Sequence, residues 1–78
     1  MPYNRIRMGM LIRGWRREKG LSQEVLSGCA GIARSHLAYI ENGDVTPTAD
    51  TLWRICDALG IRVSTLFEQL ENEPDAEG

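Results

Sequence analysis

Apolar residues recur along the chain at three- and four-residue intervals, and glycine interrupts them at Gly20, Gly31, Gly43 and Gly60. That period is helical, and glycine is the residue that most readily takes the left-handed conformation ending a helix. No valine- or threonine-rich alternating run competes for a strand. The pattern predicts five short helices. The first runs from about Asn4 to Lys19, with Met8, Ile12 and Trp15 inward and Leu11 beside them. Gly9 and Gly14 are expected to weaken it, each by about 1 kcal/mol relative to alanine. Ser22 caps a very short second helix, anchored by Leu26 and closed by Gly28 and Gly31. The third covers about Ala33 to Glu41 or Asn42, with Ala33, Leu37 and Ile40 on its inner face. Thr48 caps the fourth, whose inner face is Leu52, Ile55, Cys56 and Leu59. The fifth spans roughly Val63 to Leu70, with Ile61, Leu66 and Phe67 facing in. Residues 1–70 are expected to form one domain, and 71–78 an acidic, flexible tail.

Two short helices about a tight turn at Gly31, from Leu21 to Gly43, make a helix-turn-helix. An α-helix fits the major groove of B-DNA, where each base pair shows a distinct donor and acceptor pattern. The outer face of the third helix suits that groove, because small Ser35 and Ala38 allow close approach. Arg34 suits a bidentate contact with guanine, and Ser35 and Tyr39 both donate and accept hydrogen bonds. Backbone N–H groups at Ser22 and Gln23 open the second helix, where a phosphate is favoured.

The text GLSQEVL, AGIARSHLAYIENG, PTADTLWRICDALGI and LF, in that order, resembles the phage-repressor and Cro-type (XRE) helix-turn-helix family. The resemblance covers about Met8 to Phe67. It implies an all-α, five-helix, lambda-repressor-like DNA-binding domain. It also implies a sequence-specific transcriptional regulator, a repressor reading a pseudo-palindromic operator as a homodimer. By that resemblance Gln23 clamps the sugar-phosphate backbone, while Ala33, Arg34, Ser35 and Tyr39 face bases. The backbone near Asn42 and Gly43 meets a phosphate, and Arg16 pairs with Glu41 as a structural element. The chain departs from the family at Ala33, where Ser or Thr is common, so that a cap or a polar base contact is lost and packing on a thymine methyl is the alternative. It departs again at His36, expected on the flank near phosphate or against the second helix, and at Arg62, where a cap is usual. The loop Gly43 to Pro47 carries Asp44 and no Lys or Arg, which implies few charged phosphate contacts and a shallow salt dependence.

Charge refines this picture. The formal net charge is -2, from nine basic and eleven acidic residues. Five of the acids (Glu68, Glu71, Glu73, Asp75, Glu77) lie after Phe67 with no base among them, so the remainder is +3. Met1 to Gly20 alone carries +5. A basic end attracts DNA, and an acidic end solubilises, repels DNA or docks on a basic partner. These features leave an alternative open, a protein-interaction module such as an antitoxin or anti-repressor partner. Arg34, Ser35 and Tyr39 are then plain surface.

No nucleophile–base pair, phosphate-binding glycine loop or metal set is evident, so no enzyme activity, cofactor or metal is expected. Cys56 reads as core and Cys29 as a partly exposed thiol. No apolar run reaches membrane-span length and no signal-peptide pattern opens the chain, which leads to the expectation of a cytoplasmic protein without membrane contact. At 78 residues no sensing domain is expected. Trp15 is assigned to the core. Trp53 points off the inner face of its helix, and a dimer patch with Leu66, Leu70 or Leu11 is one reading.

Overall fold

A computed structural model describes residues 3–72. Five helices follow one another with no strand among the described residues: α1 Arg5–Glu18, α2 Gln23–Ala30, α3 Arg34–Glu41, α4 Ala49–Leu59 and α5 Val63–Glu71. Of the expected tail, Glu71 ends α5, Asn72 caps it, and 73–78 lie outside the described residues.

Caps fix where three helices begin. Asn4 accepts from the amides of Ile6 (3.0 Å) and Arg7 (3.2 Å), Ser22 from Val25 (3.0 Å) and Thr48 from Thr51 (3.1 Å). Helices α3 and α5 start at Ala33 and Arg62 with no side-chain cap, as their sequences foretell. Gly31 ends α2 at φ 73°. Its amide donates to Gly28 and that of Ile32 to Ser27, a pair of bonds that satisfies the last carbonyls and needs a left-handed residue. Gly28 is itself helical, so Gly31 alone closes α2.

α2 packs on α4 and α3, α1 crosses α3, and α5 closes the bundle against α4 and α1. The shared core takes Met8 and Ile12 from α1, Leu26 from α2, Leu37 and Ile40 from α3, four residues of α4 and Leu66. Two inward assignments fail. Phe67 is exposed, because it lies past the edge of the α5 face that buries Leu66. Ala33 is exposed as the N-cap of α3, one residue before the helix whose inner face it was to share. Trp15 is half-buried against the core, as expected.

The α1–α3 crossing depends on Gly9. A Cβ there would press into the Ile40 carbonyl oxygen and lie 2.5 Å from that of Glu41. A glycine that costs helix propensity thus permits the backbone approach that brings α1 onto the end of α3.

Candidate nucleic-acid interface

α3 buries Leu37 and Ile40 completely and leaves Arg34, Ser35, His36 and Tyr39 exposed, with Ala38 half-buried between the two faces. Helical spacing produces this division, since residues three and four apart share a face. The two apolar side chains fix the helix to the body and turn the polar set outward.

A buried ion pair fixes α3 from its far end. Glu41 has no exposed side-chain surface, and Arg16 keeps 9%. Arg16 Nε donates to Glu41 Oε2 at 2.7 Å and Nη2 to Oε1 at 3.0 Å, a bidentate fork. Its Nη1 donates to the Leu21 carbonyl at 2.8 Å, which ties the α1–α2 turn to the same group. Burial alone would push the Glu41 carboxyl up, but the hydrogen bonds from Arg16, Gln23 and Arg13 outweigh it and hold the carboxyl below its ordinary range. Arg16 is raised in turn, first by its bond to Glu41. The pair joins the elements the sequence expectation named.

Two further side chains enter this group. Gln23 Nε2 donates to Glu41 Oε1 at 3.1 Å, so part of its amide is engaged within the protein. Arg13, absent from the sequence-derived site, lies 3.5 Å from the same oxygen through Nε, and its Nη2 donates to Asn42 Oδ1 at 2.6 Å. Gln23 at the start of α2 and Asn42 at the end of α3 are therefore linked through one buried carboxylate. Ser22 is exposed beside Gln23. The signal for Arg13 was its place one turn before Arg16 on the basic helix, which charge counting alone does not resolve.

The loop after α3 has no cation of its own, but Arg5 Nε donates to the Gly43 carbonyl at 2.7 Å. α1 thus brings Arg5 and Arg13 to a region that composition made look uncharged.

Elsewhere, Cys56 is buried, which pushes its thiol up to about 11 and makes it unreactive, while Cys29 is exposed. Among the described residues no three His, Cys, Asp or Glu side chains gather as a metal site, and no helix is long and apolar enough to cross a membrane. Trp53 is 64% exposed and borders a shallow groove with Asp57, Ile61, Arg62 and Val63. Leu66 is fully buried and takes no part in that surface.

Comparison with known proteins agrees with this geometry. The immunity repressor of Bacillus phage phi105 is 39% identical over 72 residues, covering 90% of this chain, which spans half the length of the repressor. A helix-turn-helix-type transcriptional regulator of Sinorhizobium fredii is 36% identical over 76% of this chain and 77% of its own. The restriction-modification controller protein C.AhdI of Aeromonas hydrophila superposes with a TM-score of 0.77 at 32% identity, over 80% of this chain and 94% of that one. The sequence profile of the helix-turn-helix family matches residues 12–66. With α2, the Gly31 turn and α3 in the expected places, the chain belongs to the XRE-type helix-turn-helix family.

Proposed function

We propose that this chain binds duplex DNA sequence-specifically as a two-fold dimer and represses transcription, with α3 in the major groove. The carrying observation is the exposed polar face of α3, held at its far end by the buried Arg16–Glu41 pair. Arg34 reads guanine, Ser35 and Tyr39 contact neighbouring bases, and Ala33 packs on a thymine methyl. Ser22, Gln23 and Asn42 position the domain on phosphates, and His36 flanks them. The names of the relatives, a phage immunity repressor among them, support repression. The domain is residues 1–70, and the acidic residues after it keep non-specific binding weak.

The dimer uses the Trp53 groove. A groove that carries an exposed tryptophan together with an acid, Asp57, and a base, Arg62, offers both halves of a charge pair to a second copy across a two-fold axis. Each Asp57 then meets the other copy's Arg62 around the stacked tryptophans.

Titration of a labelled duplex carrying a site selected by the protein from a random-sequence pool, followed by fluorescence anisotropy, tests the reading. Arg34→Ala is expected to lose about 1–3 kcal/mol on that site and less on others. No binding of any duplex by the wild-type chain, with function intact in Arg34→Ala and abolished in Trp53→Ala, is the signature of a protein-interaction module instead.

A further inference from the structure

Asn42 carries a carboxamide with a donor end and an acceptor end, and solvent exposure alone leaves such a group free to flip. Here the neighbour decides. An arginine side chain has five N–H donors and no acceptor. Facing it, Asn42 must present Oδ1, and the 2.6 Å bond from Arg13 Nη2 does so. The two Nδ2 hydrogens are thereby turned away from the guanidinium, on an exposed residue at the end of α3. Arg13 is fixed in its own turn, because its Nε lies 3.5 Å from Glu41 Oε1, and Glu41 is locked by Arg16.

We propose that Arg13 is a positioning residue for DNA: it orients the Asn42 carboxamide with its NH2 group outward, as a donor to a backbone phosphate. This rests on the DNA-binding reading above. A flipped amide would aim Oδ1 at the phosphate oxygens, acceptor against acceptor, so the orientation decides the sign of the contact. Arg13 acts through Asn42, and its guanidinium is already engaged by Glu41 and Asn42. Gln23 shows the complementary arrangement. The ionised Glu41 only accepts, so Gln23 turns Nε2 inward, spends one of its two hydrogens there, keeps the other for a phosphate and leaves Oε1 for a donor such as a base amino group or a bridging water.

The test is a double-mutant cycle on duplex affinity, with Arg13→Ala, Asn42→Ala and the pair, each first shown by circular dichroism to remain folded at the assay temperature. Asn42→Ala is expected to weaken binding about tenfold, the range for a hydrogen bond to a charged group. Arg13→Ala is expected to weaken it about threefold to tenfold, and to add nothing when Asn42 is already alanine. Arg13→Lys, which still offers a donor to Oδ1, restores most of the loss. In the free wild-type protein the Asn42 side-chain NH2 is expected to show a high NMR order parameter, and that order to fall in Arg13→Ala. An Arg13→Ala loss that persists undiminished beside Asn42→Ala makes Arg13 a direct phosphate contact and overturns the proposal. So does unchanged affinity in Asn42→Ala. Failure of the wild-type chain to bind any duplex overturns the DNA-binding reading itself, and this role with it.

Discussion

Gly9 and Gly14 both lie inside α1, yet their surroundings are opposite. A Cβ on Gly14 meets nothing within 4 Å, while one on Gly9 meets the backbone of Ile40 and Glu41. Gly14→Ala is therefore expected to stabilise the domain by up to about 1 kcal/mol, through helix propensity alone. Gly9→Ala is expected to destabilise it by about 1–3 kcal/mol, because α1 must move off α3. Thermal unfolding of the two variants checks both signs, and equal shifts would mean the crossing is not tight. The sequence treats the two glycines alike, since propensity is local and the approach of a second helix is not. Phe67 fails for a related reason. Period alone places a residue to within about a third of a turn, and at the edge of a helix face that decides between core and solvent.

At the scale of elements, boundaries were the most legible feature. Asn4, Ser22, Thr48 and the four glycines act locally, through a cap oxygen or a left-handed φ, so their chemistry is written in the residue itself. The uncapped start of α3 is the exception that can be improved. Ala33→Ser is expected to add about 1 kcal/mol, measured by urea unfolding, and no gain would show that the α3 N-terminus is satisfied otherwise.

The pair joining α1 to α3 is expected to set the acid limit of the fold. Glu41 ionises more readily folded than unfolded, so its contribution is complete above the ordinary carboxylate pKa of about 4.3. It is lost as the pH falls through the lower folded value. Stability is expected to hold from neutral pH down to about 5 and then fall. Glu41→Gln removes part of that acid dependence and destabilises the domain at pH 7 by about 3–5 kcal/mol, leaving Arg16 buried without its counter-charge. An unchanged acid limb in Glu41→Gln would place the transition on other carboxylates. The pairing of Arg16 with Glu41 came from family resemblance. The attachment of Gln23 and Arg13 to the same carboxylate did not, because it depends on how α2 and α1 each approach the end of α3.

For the whole molecule, the fold was readable because repeated helix stops and a helical apolar period agree with one another along nearly the entire chain. The candidate binding surface was readable only in part. The outer face of α3 follows from period, but the cations that α1 carries to the end of α3 do not follow from composition. Dimerisation belongs to this scale as well. Trp53→Ala is expected to weaken self-association by about 2 kcal/mol or more, followed by sedimentation equilibrium. Asp57→Arg alone should disrupt the pairing, and Asp57→Arg with Arg62→Asp should restore it. No recovery in the double variant would move the two-fold contact away from this groove.

Reading of DNA by α3 is tested most directly by incubating the protein with a random-sequence duplex pool at near-physiological salt and sequencing the retained fraction. The expected result is an enriched inverted repeat, its half-sites about one helical turn apart. Arg34→Ala should relax the preference at one base of each half-site. A retained fraction as random as the input, even at low salt, would contradict DNA reading and leave the exposed face of α3 as a surface for a protein partner.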